Sequence, residues 1–275
     1  MSLRIASYNV NGINSRFDVL SEWLLDERPD IVCLQELKAP QEKFPRKDLA
    51  ALGYHSIWQG QSQWNGVAIL SREPLEERRR GLPGDPKDLH SRYIEASVGD
   101  MVIGCLYAPN GNPAPGPKFE YKLKWFARLQ KHARALLKSE APVILAGDYN
   151  VMPTDLDVYA PERWRDDALF RPEVRDAYAT LLDQGWTDAL RSVFGDERVY
   201  TFWKYWRRSF ERNSGLRIDH LLLSPSMAGR LKGAGVSTDI RAKERTSDHA
   251  PVWIELRDVP DPKGDSRARR VKRLS

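Results

Sequence analysis

Three apolar runs of this chain end on carboxylates or amides, and two others begin on them. LRIASYNVN closes at Asn9 and Asn11, DIVCLQE at Glu36, and PVILAGDYN at Asp148 and Asn150. In the second half, Asp219 opens IDHLLLS, and the tripeptide Ser247-Asp248-His249 stands just before PVWIELR. Any one such end has an ordinary explanation, because Asn and Asp initiate turns. Several together describe a set of hard oxygen donors with one imidazole and no thiolate, a donor set that suits Mg²⁺ or Mn²⁺ better than zinc. A histidine beside a carboxylate is oriented and kept protonated by it, which lets it hold or polarise a phosphoryl oxygen.

To bring these groups together, the runs must be strands. Eight segments rich in β-branched residues fit that reading: 3–10, 30–36, 65–72, 92–98, 101–109, 142–150, 218–224 and 251–257. Period-two alternation puts Asn9 with Asn11, and Asp148 with Asn150, on one face each, with Tyr8, Val10 and Tyr149 on the other. An antiparallel strand that starts where others end carries Asp219 to the same rim. Helical patterns occupy 16–25, 118–137 and 172–182, with shorter ones at 188–194 and 226–231. Hairpin-length links such as Gly99-Asp100 alternate with helical crossovers, so the expected fold is α/β, with mixed pairing and helices covering the sheets.

Composition sets the outer bounds. The chain has 275 residues, 41% hydrophobic and 29% charged, which excludes a disordered or fibrous protein and allows a large core. The 43 basic and 38 acidic residues leave a net charge of +5, and residues 263–275 hold six basic residues against one acidic. The body of the chain is balanced, so its net charge does not announce a nucleic-acid partner. A single domain over 1–258 followed by a basic, disordered tail at 259–275 is expected. No apolar stretch approaches the ~18 residues of a membrane span, and no charged-then-apolar leader opens the sequence. A cytoplasmic protein is expected. Cys33 and Cys105, each inside an apolar run, read as buried thiols, not as a disulfide or zinc site.

Taken in order, YNVNGINSR, CLQELK, NGVAILSR, YAPNG, LAGDYNVMPTDLD, YTFWKYW, GLRIDHLLLSP and SDHAPVW resemble the exonuclease III and apurinic/apyrimidinic (AP) endonuclease family, in the bacterial exonuclease III branch of the DNase I-like metal phosphoesterases. The resemblance implies a four-layer α/β/β/α sandwich of two mixed sheets flanked by helices, with the active site where the strand ends meet. It implies hydrolysis of a DNA phosphodiester, 5′ to an abasic site or at a 3′ end of duplex DNA, assisted by one or two Mg²⁺ or Mn²⁺ ions. By motif, Glu36 is the principal metal ligand, with Asn9 beside it and Asp248 as a further carboxylate that ligands a second ion or steadies His249. Asp148 activates or orients the attacking water, Asn150 steadies it, Tyr107 contacts the phosphate or the leaving oxygen, and Asp219 pairs with His249. Which group takes the proton is left open.

For substrate, Phe202 and Leu216 are the candidates for a small apolar pocket that admits a sugar lacking its base, while Trp203 and Tyr205 are assigned to packing. Asn11 and Arg217 are further candidates for substrate contact. Lys204, Arg207, Arg208 and Arg212 stand beside that stretch and suit a duplex backbone, as do the basic runs 78–80 and 163–165. His220, His55, His90 and His132 read as packing or surface residues. The resemblance also admits a catalytically silent nucleic-acid-binding or regulatory protein, or a non-DNA phosphoesterase. The first should lack Glu36, Asp148 or His249, and the aromatic YTFW segment disfavours the second. A monomer on double-stranded DNA is expected.

Overall fold

The computed structural model describes residues 2–257; the basic tail lies outside them. Four strands open the chain: β1 (Ser2–Asn9), β2 (Ile31–Gln35), β3 (His55–Gln59) and β4 (Val67–Ser71). A second sheet follows with β5 (Leu75–Arg80), β6 (Tyr93–Val98), β7 (Met101–Tyr107), β8 (Val143–Asp148), β9 (Thr187–Asp188) and β10 (Asp219–Leu223). The chain then returns to the first sheet with β11 (Leu231–Val236) and β12 (Val252–Arg257). The strand orders are β11-β12-β1-β2-β4-β3 and β5-β6-β7-β8-β10-β9.

The two sheets share one pairing pattern. In the first, β1 pairs parallel with β2 and is flanked on its other side by antiparallel β12. In the second, β8 pairs parallel with β7 and antiparallel with β10. Their apolar faces pack together, with Ile5, Cys33, Ile69 and Ile254 from one sheet against Ile103, Cys105, Ile144 and Leu221 from the other. Both cysteines are free and buried in this layer.

Helices cover the outer faces, completing the expected four layers. Helix α1 (Phe17–Glu27) packs Leu20, Trp23 and Leu24 on the first sheet. On the second sheet, α3 (Pro117–Lys138) buries Phe119, Lys122, Trp125, Phe126, Leu129, Ala133 and Leu136, a stripe at three- and four-residue spacing. Helix α4 (Pro172–Asp183) lies beside it, and Val174, Tyr178 and Leu181 join the same cluster. The shorter helices are α2 (Arg46–Ala51), α5 (Ala189–Phe194), α6 (Pro225–Ala228) and α7 (Thr238–Ala242). Among the described residues no helix is long and apolar enough to cross a membrane.

All eight strands expected from the sequence are present, and the four it does not announce are β3, β5, β9 and β11. These are the edge strands of the two sheets. An edge strand need bury only part of its surface, and β5 reads LEERRR with five of its six residues exposed. Such a segment lacks the apolar run that marks an interior strand. Leu231 belongs to β11, not to a helix over 226–231, which is reduced to α6.

Candidate active site

Register brings the chemistry to one rim. Asn9 at the end of β1 is paired with Gln35 at the end of β2, so Glu36 follows beside it. Tyr107 at the end of β7 pairs with Asp148 at the end of β8, and Asp219, the first residue of β10, faces Asp148 across the antiparallel ladder. Asp248 and His249 precede β12, the antiparallel neighbour of β1.

The paired amides come together by a different route from strand alternation. Both β1 and β8 stop at the first member of each pair, and Asn11 and Asn150 adopt positive φ angles of 49° and 50°. In each case the strand-terminal side chain accepts from the backbone N–H two residues on: Asn9 Oδ1 from Asn11 at 3.0 Å and Asp148 Oδ1 from Asn150 at 2.8 Å. These are Asx turns, the local preference that also makes Asn and Asp end strands.

Asn9 ties the two halves of the site together. Its Nδ2 donates to Glu36 Oε1 at 2.9 Å and to Asp148 Oδ2 at 3.0 Å. Asn9, expected as a metal ligand, accepts from the Asn11 backbone through its carbonyl oxygen and orients two carboxylates through its amide. The second Glu36 oxygen meets Lys38 Nζ at 2.8 Å. Burial opposes ionisation of Glu36, yet the Lys38 ammonium and the Asn9 amide outweigh it and hold its pKa below the usual carboxylate value.

Asp148 has the opposite fate. Burial, followed by the neighbouring carboxylate Asp219 and then by Glu36, pushes its pKa up to about 7 against the pull of His249. His249 Nδ1 lies 2.8 Å from Asp219 Oδ2, and Nε2 lies 3.8 Å from Asp148 Oδ2. Burial would lower the imidazole, but Asp219 above all, with Asp148 and Asp248, raises it to about 10, so the ring is an imidazolium. Thr201 Oγ1 donates to the same Asp219 oxygen at 2.6 Å and accepts from the backbone N–H of Ile218 and Asp219. The other oxygen, Asp219 Oδ1, is buried without a hydrogen-bond partner.

The donor set fits a hard divalent cation. Ligand atoms of Glu36, Asp148 and His249 lie within 4.8 Å of one another, carboxylates dominate, and both thiols lie between the sheets. Glu36 and Asp148 offer carboxylate oxygens there, while Nδ1 of His249 is occupied by Asp219. Asp248 stands outside that group of three and accepts from Asn11 Nδ2 at 2.9 Å.

A cleft of about 250 Å³ opens over these residues. Glu36, Tyr107, Asn110, Asp148, Asn150, Asp248 and His249 form its polar wall. Trp164, Leu169, Phe202, Leu216 and Ile218 form an apolar end. Phe202 packs edge-on against the His249 ring at 4.9 Å. Trp203 is buried as expected of a packing residue, whereas Tyr205 is 48% exposed at the rim and its hydroxyl accepts from Asn11 Nδ2 at 3.2 Å. Tyr107 lines the cleft, and burial beside Glu36 and Asp148 lifts its phenol well above the ordinary value, so it is a donor.

Arg217 is a correction. Expected to touch substrate, it is 1% exposed, with Nε 2.6 Å from Asp157 Oδ1 and Nη1 2.7 Å from Asp188 Oδ2. Alternation accounts for this, because Leu216 and Ile218 face the cleft and Arg217 between them points into the protein beneath it. His220 joins the same buried network through Arg217 and through the Val151 carbonyl at 2.9 Å. His132 is buried against Glu95 and Tyr93, and His90 contacts Asp88. Among the other basic runs, Arg78, Arg80 and Arg165 are paired with Glu95, Glu77 and Glu162. Sequence reasoning did not single out Lys38, Asn110, Trp164, Asp167, Leu169 or Thr201. Lys38, Asn110 and Thr201 lie inside the quoted motifs CLQELK, YAPNG and YTFWKYW, but no feature of the sequence separates them from their neighbours.

Known proteins match this arrangement along almost the whole chain. Residues 6–249 match the model of the Endonuclease/Exonuclease/phosphatase family. Exodeoxyribonuclease III of Haemophilus influenzae is 34% identical over 267 residues, covering 93% of this chain and 100% of that protein. An AP endonuclease from Archaeoglobus fulgidus superposes with a TM-score of 0.90 at 36% identity, covering 94% of this chain and 100% of the other. The 3′ phosphatase NExo from Neisseria, bound to a product DNA hairpin, gives 0.91 at 41% identity over 93% of this chain and 100% of the other. With its two matched sheets, its rim of carboxylates and these relatives, the chain belongs to the Endonuclease/Exonuclease/phosphatase family, in its exonuclease III and AP endonuclease branch.

Proposed function

We propose that the cleft is the active site of a metal-dependent DNA repair nuclease, which hydrolyses the phosphodiester 5′ to abasic sites and removes nucleotides or blocking groups from 3′ ends of duplex DNA. The observation that carries this reading is the convergence of Glu36, Asp148 and the Asp219–His249 pair at the mouth of a cleft whose far end is apolar. Glu36 would hold Mg²⁺ or Mn²⁺ beside Asp148. Such an ion neutralises charge that builds on the phosphoryl and leaving oxygens.

The protein groups divide the remaining work. The His249 imidazolium, held by Asp219, donates to a phosphoryl oxygen and stabilises the negative charge of the transition state. Asp148 accepts the proton of an attacking water placed within hydrogen-bond reach, and Asn150 orients that water. Tyr107 donates to the phosphate or leaving oxygen. Phe202, Leu216, Trp164 and Leu169 surround a deoxyribose without its base, whose extrusion costs least because no stacked base is lost.

Exposed Arg207, Arg208 and Arg212, with Lys204 stacked on the Trp164 ring at 4.5 Å, stand beside that end and grip the duplex backbone. The protein acts as a monomer, in the cytoplasm. The test is a labelled duplex carrying one synthetic abasic site, run beside an intact blunt duplex in Mg²⁺ and in EDTA, with products sized on a denaturing gel. One metal-dependent cut at the abasic site supports the endonuclease, and a ladder shrinking from 3′ ends supports the exonuclease. Both duplexes surviving in Mg²⁺ would overturn the reading.

A further inference from the structure

The apolar stripe of α3 contains one charged residue. Lys122 occupies a stripe position between Phe119 and Trp125, and it is wholly buried. Its Nζ donates to three backbone carbonyls: Asn110 at 3.0 Å, Asn150 at 2.5 Å and Ala168 at 3.0 Å. An ammonium has three donors, and here each has one acceptor. Without those acceptors a buried charge at this depth would be strongly disfavoured. Burial pulls its pKa down to about 7 against the opposing pull of Asp148 and Asp167, and the three carbonyl acceptors favour the charged form.

Each carbonyl belongs to a different segment of the cleft wall. Asn110 is in the loop after β7, which carries Tyr107; Asn150 is in the loop after β8, which carries Asp148; Ala168 sits between Asp167 and Leu169. The segments also touch directly, through Asn110 Nδ2 to Asn150 Oδ1 at 3.4 Å and Asn112 Nδ2 to Asp167 Oδ1 at 3.1 Å. The fit around the lysine is close. A Cβ at Gly111, where φ is +91°, would come 2.7 Å from Lys122 Cδ and 3.1 Å from Ala168 Cβ. Glycine lets the loop lie against the lysine stem.

We propose that Lys122 is a positioning residue for the hydrolytic reaction, its ammonium fixing the relative placement of the three segments that bring Tyr107, Asn150 and Leu169 to the cleft. The proposal rests on the nuclease reading above. Lys122 touches no substrate. Its effect is on alignment, and a displacement of about 1 Å in a reacting group lowers a rate by roughly 10²-fold. Duplex binding through surface cations is unaffected.

The test compares the full-length protein with Lys122→Met, which keeps the stem and loses the donors, and with Leu136→Ala, a buried change roughly 21 Å along the same helix. Circular dichroism and melting curves fix a temperature at which all three are folded, and kcat and KM are measured there on the abasic duplex in Mg²⁺. The expected result is a kcat lowered about 10- to 100-fold in Lys122→Met with KM changed less than about threefold, and both constants near parental in Leu136→Ala. A kcat within about threefold of the parent in Lys122→Met overturns the proposal, as does an equal loss in the two variants, which would make the lysine merely a stabilising residue. Should Lys122→Met not fold, Lys122→Leu, which likewise lacks the donors, is judged by the same criteria. No cleavage by the parent would instead defeat the nuclease reading, and this proposal with it.

Discussion

His249 Nδ1 lies 2.8 Å from the Asp219 carboxylate, and both side chains are almost fully buried. That carboxylate is itself held by Thr201 at 2.6 Å. The contact keeps the ring charged and aims Nε2 toward Asp148, so two residues separated by 30 positions act as one unit. Asp219→Asn removes the charge that keeps the imidazole protonated while preserving shape. Its kcat is expected to fall by roughly 10²- to 10³-fold, with duplex affinity little changed. His249→Asn should lose a similar amount, and the double variant little more than either single one, because the pair functions together. Losses that multiply in the double variant would show that the residues act separately.

Glu36 is expected to dominate ion binding. Glu36→Gln keeps the Asn9 contact and removes the negative charge, so Mn²⁺ affinity followed by electron paramagnetic resonance should drop at least about tenfold, with cleavage lost in parallel. Unchanged Mn²⁺ affinity in the variant would move the ion elsewhere.

Phe202 forms part of the apolar end and packs on the His249 ring. Phe202→Ala enlarges that end enough to weaken the distinction between a sugar with and without its base. The ratio of kcat/KM for an abasic site over an intact nucleotide should fall by about 10-fold or more. A ratio equal to that of the parent would remove Phe202 from the pocket.

The network below the site makes a prediction about stability. Burial opposes ionisation of both Asp157 and Asp188, but Arg217 leads the groups that hold the two carboxyls below their ordinary pKa. A group with a depressed native pKa contributes stability above its unfolded value, about 3.9 for Asp, and loses it as pH falls through the native value. The melting temperature should therefore decline steadily below about pH 4. Arg217→Met leaves two buried carboxylates short of their partner, costing about 3–5 kcal/mol at neutral pH, and should flatten or invert the acid limb. Chemical denaturation at pH 7 and at acid pH measures both. Parental stability of the variant at pH 7 would contradict the buried-pair account.

How far the sequence announces all this varies with what neighbours supply. Most interior strands are legible because their residues are buried on both faces, whereas LEERRR becomes β5 only by pairing with β6. The catalytic groups stand out because strand ends bearing Asp, Asn or Glu recur. The reason Asn9 and Asn11 share a site is nevertheless a turn and a positive φ, which alternation does not foresee. Arg217 and Lys122 are the instructive pair. Both are basic, and both lie inside apolar patterns, at 216–218 and along the α3 stripe. Each serves the protein interior, which only the tertiary acceptors Asp157, Asp188 and the three loop carbonyls reveal.

The most direct test is single-turnover cleavage of the abasic duplex in Mg²⁺ by the parent and by Asp148→Asn, with duplex affinity measured on the same samples. Asp148→Asn keeps a side chain for Asn9 and for the Asx turn but lacks a group to take the proton. The account predicts a rate lowered by about 10²- to 10⁴-fold with affinity within a fewfold of the parent. Cleavage by Asp148→Asn within about tenfold of the parental rate, in Mg²⁺ and abolished by EDTA, would contradict the placement of the catalytic centre at this residue.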